Sequence, residues 1–191
     1  MGKKFLLLWH YVWGNIIGRL LYPPQVFKSK WFSRPGSDGW AWVCRYWFSQ
    51  KVMGYNRDCK FPCSPMLHVA CPENLEFSMD DLDHFTSVGC YFQANAGIII
   101  GKGSQIAPGV GIITENHDLN DPQLRGKKGK VVIGDKCWLG MNSLILPGVI
   151  LGPHTVVGGG SIVTKSFPEG HVVIAGNPAK IIKRLGGKNQ F

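Results

Sequence analysis

VVIGDKCWLGMNSLILPGVILGPHTVVGGGSIVTK, residues 131–165, decides the fold. Ile133, Leu139, Ile145, Leu151, Val157 and Val163 stand six positions apart. If such residues fill about a quarter of positions, six in register arise by chance about once in four thousand trials. The next residue is usually small, as at Gly134, Gly140, Gly152 and Gly158; Leu146 and Thr164 depart from that rule. Two positions before each aliphatic residue stands a small or branched one: Cys137, Ser143, Val149, Thr155 or Ser161. A period of six suits neither an α-helix nor a long strand. It suits a parallel β-helix, in which a short strand and a turn repeat. The aliphatic side chain points into the coil, and the small residue lets the chain turn the corner. Working outward, the phase recurs at Ile100, Ile106 and Ile112, and Leu82 and Val88 fit it upstream. The repeat is expected over about residues 75–168.

The count stops in ITENHDLND, residues 113–121. Register holds through Ile112 and resumes at Ile133, so the chain between is an excursion, expected as a loop over 118–130. A packed coil offers no pocket, whereas a loop thrown out of the stack makes one wall of a cleft. His117 sits at its root. Arg125, Lys127, Lys128 and Lys130 follow, suited to an anionic ligand or to keeping the loop soluble.

The chain has 191 residues, 45% of them apolar and 17% charged, which is a globular composition. Its formal charge is +9. Residues 1–58 carry nine Lys or Arg against Asp38 and Asp58, and six of the seven tryptophans. Trp mixed with basic residues is the composition of membrane–water interfaces. KKFLLLWHYVWGNIIGRLLY (3–22) reads as a helix stopped by Pro23 and Pro24, with His10, Gly14 and Gly18 on one stripe. It carries no signal-peptide cleavage site, and its His, Asn and Arg disfavour a membrane span. Lying in the interface and packing on the protein are the two open readings. GWAWVCRYWFSQKVMG (39–54) reads as a second helix of the same kind. Cys59, Cys63, Cys71 and His68 lack a paired C-x-x-C knuckle, so buried reduced thiols are expected rather than zinc. Free thiols point to a reducing, cytoplasmic compartment. The organisation expected is therefore a helical segment over 1–58, a β-helix over 59–168 and a tail over 169–191. Within that tail Asn177 and Pro178 read as the start of a short helix, AKIIKRL.

Several motifs carry a family resemblance. They are the W-x-G of Trp138–Gly140, the LPGV of Leu146–Val149, the run GGGSIVTKSFPEG and the AGNPAK of Ala175–Lys180. They resemble the hexapeptide-repeat acyltransferases, among them the galactoside, maltose, serine and polysaccharide O-acetyltransferases. The resemblance covers about residues 75–185 and leaves 1–58 uncovered. It implies a mainly β fold, a left-handed parallel β-helix, assembled as a homotrimer with acetyl-CoA between subunits and no catalytic metal. It makes His117 the general base, a task to which a neutral imidazole is matched near pH 7. Gln93 and Asn95 are candidates for the oxyanion or acceptor donor, and Asn116 and Asp118 for orienting the imidazole or binding the acceptor. Each of the four is also an ordinary turn residue. For CoA the resemblance points to Trp138, Met141, Gly159, Thr164 and Lys165, with Lys180 and Lys183 near the 3′-phosphate. YFQANAG and NHDLND look most like the branch acting on cell-surface polysaccharides. The expected activity is O-acetylation of a bacterial polysaccharide or its lipid-linked precursor. The expected place is the cytoplasm, peripheral to the inner membrane face through residues 1–52, with no nucleic-acid partner. The alternatives are an N-acetyltransferase of a nucleotide-linked amino sugar, a small-molecule acetyltransferase, a non-catalytic scaffold and a zinc carbonic anhydrase.

Overall fold

The computed structural model describes residues 2–186. They form two compact units. Of these, one comprises residues 2–68 and 79–88, the other 69–78 and 89–186.

The first unit is helical. α1 (Gly2–Leu21) and α2 (Asp38–Trp47) pack together, and α2 continues into a π-helical turn over Phe48–Val52. The close approach falls on the glycine stripe. A Cβ on Gly14 would lie 2.7 Å from the Trp40 carbonyl oxygen, and one on Gly18 would lie 3.0 Å from the Phe27 ring. Trp40 is buried and centres an aromatic cluster, with Phe32 at 4.9 Å, Tyr11 at 5.5 Å and Phe27 at 5.7 Å between ring centroids. A second hub is polar. The buried Gln50 accepts from the Tyr22 hydroxyl (2.7 Å) and from the Cys63 amide (3.3 Å). Its amide nitrogen donates to the carbonyls of Phe61 (2.9 Å), Asn56 (3.1 Å) and Cys59 (3.2 Å). A side-chain amide that finds partners on both ends can be buried at little cost. Burial pushes the Tyr22 hydroxyl up, and the neighbouring Cys63 and Cys59 add to it.

The second unit is a three-sided parallel β-helix. Its strands are β1 (His68–Ala70), β2 (Leu75–Glu76), β3 (Tyr91–Gln93), β4 (Ile98–Ile100), β5 (Gln105–Ile106) and β6 (Gly111–Ile113). After an antiparallel pair, β7 (Glu115–His117) and β8 (Arg125–Lys128), the helix resumes with β9 (Val131–Ile133), β10 (Trp138–Leu139) and β11 (Leu144–Ile145). It ends with β12 (Ile150–Leu151), β13 (Val156–Val157), β14 (Ile162–Val163), β15 (Val172–Gly176) and β16 (Ala179–Arg184). Face I stacks β1-β3-β6-β11-β14, face II stacks β2-β4-β9-β12, and face III stacks β5-β10-β13-β15-β16. The inward column is the six-residue series. Ile133, Leu139, Ile145, Leu151, Val157 and Val163 are all buried. Corners are tight: a Cβ on Gly134 would come within 2.6 Å of Pro153 N and 2.7 Å of the Gly152 carbonyl carbon. That contact is the physical content of the small-residue rule. Leu139 pairs with Val157, eighteen residues later, and with Ile106, thirty-three earlier. The surplus of fifteen is the excursion.

Two expectations are corrected. The stretch AKIIKRL is not a helix. β16 runs antiparallel to β15, with Gly176 opposite Ala179 and Asn177-Pro178 as a two-residue turn. β-branched Val172, Val173, Ile174, Ile181 and Ile182 favour strand. The last coil also offers a free edge whose backbone groups a helix would leave unpaired. The upstream phase fails as well. Leu82 is buried in a broken 3-10 stretch, Met79–Thr86, and Val88 is exposed. In chain order this segment takes the place of a strand between β2 and β3, and it belongs to the helical unit. Trp31 Nε1 donates to the Asp80 carbonyl at 2.7 Å, and Lys30 N to Asp80 Oδ1 at 3.0 Å.

Candidate active site

The excursion leaves face I after β6 and returns to face II at β9. It closes on itself: Gly129 N donates to Thr114 O at 2.9 Å, so its two ends meet at one corner of the prism. Between them β7 and β8 form a hairpin with His117 opposite Arg125. His117 is thus the last residue of a strand rather than part of a free loop, and it is exposed. At the tip, Asp118 Oδ1 accepts from Asn120 N (2.8 Å) and Asp121 N (3.2 Å), an ordinary Asx turn.

The hairpin is anchored by residues standing at its root. Gln93 Oε1 accepts from the amides of Glu115 (2.9 Å) and Thr114 (3.2 Å), and Thr114 Oγ1 donates to Gln93 O at 2.6 Å. Asn95 Nδ2 donates to Glu115 Oε2 at 2.8 Å, and Lys128 Nζ meets Glu115 Oε1 at 2.9 Å. Arg125 Nε lies 3.9 Å from the same oxygen. The Glu115 side chain is 3% exposed, so the hairpin is bolted to the coil by a covered carboxylate held from both sides. The Asn95 hydrogen bond, then that of Lys128, holds this carboxyl below its usual range, with the Lys128 and Arg125 charges adding and burial opposing. Glu115 was not among the residues singled out from sequence. The signal available was an acid placed between buried Thr114 and the candidate base, with cations ten and thirteen residues later.

Beside this root lies a cleft of about 340 Å³, lined in part by Glu73, Glu76, Asn95 and Lys130. Two of its lining residues form an ion pair, with Lys130 Nζ 3.8 Å from Glu76 Oε1.

The residues expected to hold CoA divide between two regions. Trp138 stands on face III and is 53% exposed, paired in register with Gln105 and Val156. Met141 and Gly159 sit together at the turn from face III to face I, where Gly160 N donates to Met141 O at 2.8 Å. Lys180 and Lys183 lie on β16, at the edge of face III. Thr164 and Lys165 follow β14, at the same corner as the hairpin, with Lys165 Nζ 5.7 Å from the Phe167 ring centroid. One chain therefore brings His117, Asn116, Asp118, Gln93, Asn95, Thr164 and Lys165 to one corner. It leaves Trp138, Met141, Gly159, Lys180 and Lys183 on another side. At the third corner the His154 and His171 rings stack at 4.8 Å, away from His117. Among the described residues no group of three or more His, Cys, Asp or Glu is arranged to hold a metal.

A three-sided parallel coil of hexapeptides interrupted by one excursion is the fold of the left-handed β-helix proteins. The bacterial transferase hexapeptide (six repeats) model matches residues 130–165, and the chain is similar to hexapeptide-repeat acetyltransferases. A Dictyostelium discoideum protein named for a proposed acetyltransferase activity is 43% identical over 122 residues, 58% of this chain and 63% of that protein. A Saccharomyces cerevisiae protein named in the same way is 40% identical over 113 residues, 53% of this chain and 57% of the relative. The chain thus spans between 57% and 63% of the length of these two curated relatives. Among solved structures, the hexapeptide-repeat acetyltransferase of Vibrio cholerae complexed with acetyl coenzyme A superposes with a TM-score of 0.50 at 23% identity, over 67% of this chain and 64% of that one. A point mutant of the Bacillus cereus N-acyltransferase AntD, with a dTDP-linked amino sugar and coenzyme A, gives 0.52 at 18% identity, over 65% and 80%. These two likenesses establish the shared fold.

Proposed function

We propose that this protein is an acetyl-CoA-dependent O-acetyltransferase acting on a sugar hydroxyl of a surface polysaccharide or its lipid-linked precursor, with His117 as general base. The observation that carries the reading is an exposed imidazole on the last residue of a strand whose neighbour Glu115 is clamped to the coil. Acyl transfer needs a base held to within about 0.5 Å. An alcohol oxygen attacks the thioester carbonyl carbon while the imidazole takes the hydroxyl proton. The C–S bond then breaks, and the imidazolium returns that proton to the departing thiolate. No covalent enzyme intermediate is required.

Supplied by the neighbouring subunit of a homotrimer, Trp138, Met141, Gly159, Lys180 and Lys183 would line the thioester arm and the CoA phosphates. The separation of the two residue sets on one chain supports that assembly. Glycine lets an extended arm lie close to backbone, and ammonium groups pair with phosphate. Asn95 and Gln93 are read here as anchors of the hairpin, because their hydrogen bonds run to Glu115 and Thr114.

The test is thiol release from acetyl-CoA with hydroxylated and aminated glycan acceptors in parallel. Release with the hydroxylated acceptor, lowered about 10²- to 10⁴-fold in His117→Ala, is expected for a lost general base. Release only with the amine would overturn the choice of acceptor atom. An unchanged rate in His117→Ala would overturn the assignment of the base.

A further inference from the structure

α1 presents two unlike faces. Gly14 and Gly18 meet Trp40 and Phe27. Phe5, Trp9, Val12, Trp13, Ile16 and Leu20 recur at spacings of three and four, which places them on one stripe opposite the glycines. All six are exposed, Leu20 by 79% and Phe5 by 68%. The stripe runs for about 24 Å along the helix. No helix among the described residues is long and apolar enough to cross a membrane. A long apolar stripe open to solvent is a docking surface rather than ordinary surface scatter.

Charge and aromatic content select the occupant. Residues 1–58 carry +7, and the helical unit still carries +5 once Lys60 and the three acids Asp80, Asp81 and Asp83 are counted. Arg19, Lys28, Lys30, Arg34, Arg45 and Arg57 are all exposed. The stripe holds two tryptophans, Trp9 and Trp13, with ring centroids 5.4 Å apart. Indole belongs at the headgroup level, where one edge is dry and the other wet. A second copy of this chain would bring a like-charged unit against itself, whereas an anionic bilayer is attracted by it.

We infer that α1 lies in the plane of an anionic membrane surface, its Phe5–Leu20 stripe sunk among the acyl chains and the basic residues of its unit facing the headgroups. Such a helix binds without spanning. The inference is independent of the acetyl transfer, so either can fail alone. If both hold, the acceptor is met at a lipid surface.

Flotation of the full chain with vesicles decides it. Phosphatidylcholine vesicles containing a quarter phosphatidylglycerol are compared with pure phosphatidylcholine, at low and high salt. Binding is expected to the mixed vesicles, weakening in salt as the charges are screened. Phe5→Glu with Leu20→Glu should lower the bound fraction at least tenfold with an unchanged circular dichroism spectrum, because both side chains are largely solvated. Leu119→Glu, at an exposed site on the other unit, should bind like the unaltered chain. The inference is overturned if the unaltered chain stays soluble with every vesicle, or if the double variant floats as well as it does. It is equally overturned if the double variant splits an oligomer of the unaltered chain that never floats.

Discussion

Gly126 lies on β8, directly against the strand that ends in His117. A Cβ placed there would sit 2.6 Å from the His117 carbonyl carbon and 2.7 Å from Asp118 N, and closer still to the His117 carbonyl oxygen. Ordinary contact begins near 3.4 Å, and every atom in the way is backbone, so no rotamer change relieves the clash. Gly126→Ala must therefore spread the hairpin by about 1 Å at His117, the proposed base. A misplacement of about 1 Å costs on the order of 10²-fold in rate, about 2.7 kcal/mol of transition-state stabilisation. The hairpin lies outside the stacked column, so the melting temperature should stay within a few degrees. The assay is thiol release at saturating acetyl-CoA, with Lys127→Ala on the same strand as control. A kcat within twofold of the unaltered protein's would refute the premise that the hairpin's backbone spacing fixes the position of His117.

Gln50→Leu strips the acceptor from two buried donors, the Tyr22 hydroxyl and the Cys63 amide. At about 1–3 kcal/mol for each, unfolding should become easier by about 2–6 kcal/mol. Tryptophan fluorescence follows this unit, since six of the seven tryptophans lie in residues 1–58; a loss under about 1 kcal/mol would mean that the network is relaxed by water. His84 is buried, and burial lowers its pKa, with Lys30 acting in the same direction and Asp83 and Asp81 opposing. Its neutral form is the native one, so its contribution is intact above the ordinary value of 6.5 and is lost as pH falls through the lower folded value. Melting followed from pH 8 to pH 5 should show a fall below pH 6.5 that His84→Gln flattens, and equal slopes would discard His84 as its source.

The inward column was legible because its cause is local and repeated: each coil needs an aliphatic plug and a corner without a side chain. The excursion that carries His117 was legible because the column breaks there. What the sequence hid depends on partners far along the chain. Glu115 looks like a surface acid until Asn95 and Lys128 are brought to it. Gln93 and Asn95 were visible as polar residues near a turn, but not as bolts for a hairpin some twenty residues away. Leu82 matched the six-residue phase by spacing alone, and it is buried instead within the helical unit. Asn177-Pro178 fits a helix start and a two-residue turn equally well, and only the free edge of β15 decides between them. The glycine stripe of α1 was visible by spacing, but not that Trp40 and Phe27 would be what meets it.

The fifteen-residue surplus between Ile106 and Leu139 has a consequence for how this chain can change. Joining Thr114 directly to Lys130 would carry the inward count from Ile112 to Ile133 in a single step of six, leaving an uninterrupted solenoid without His117. The scaffold and the proposed base are therefore written on separable stretches. Because the insert begins and ends across one 2.9 Å hydrogen bond, its length can drift without strain on the coils. The reach of His117 from the coil can be retuned by editing the insert alone.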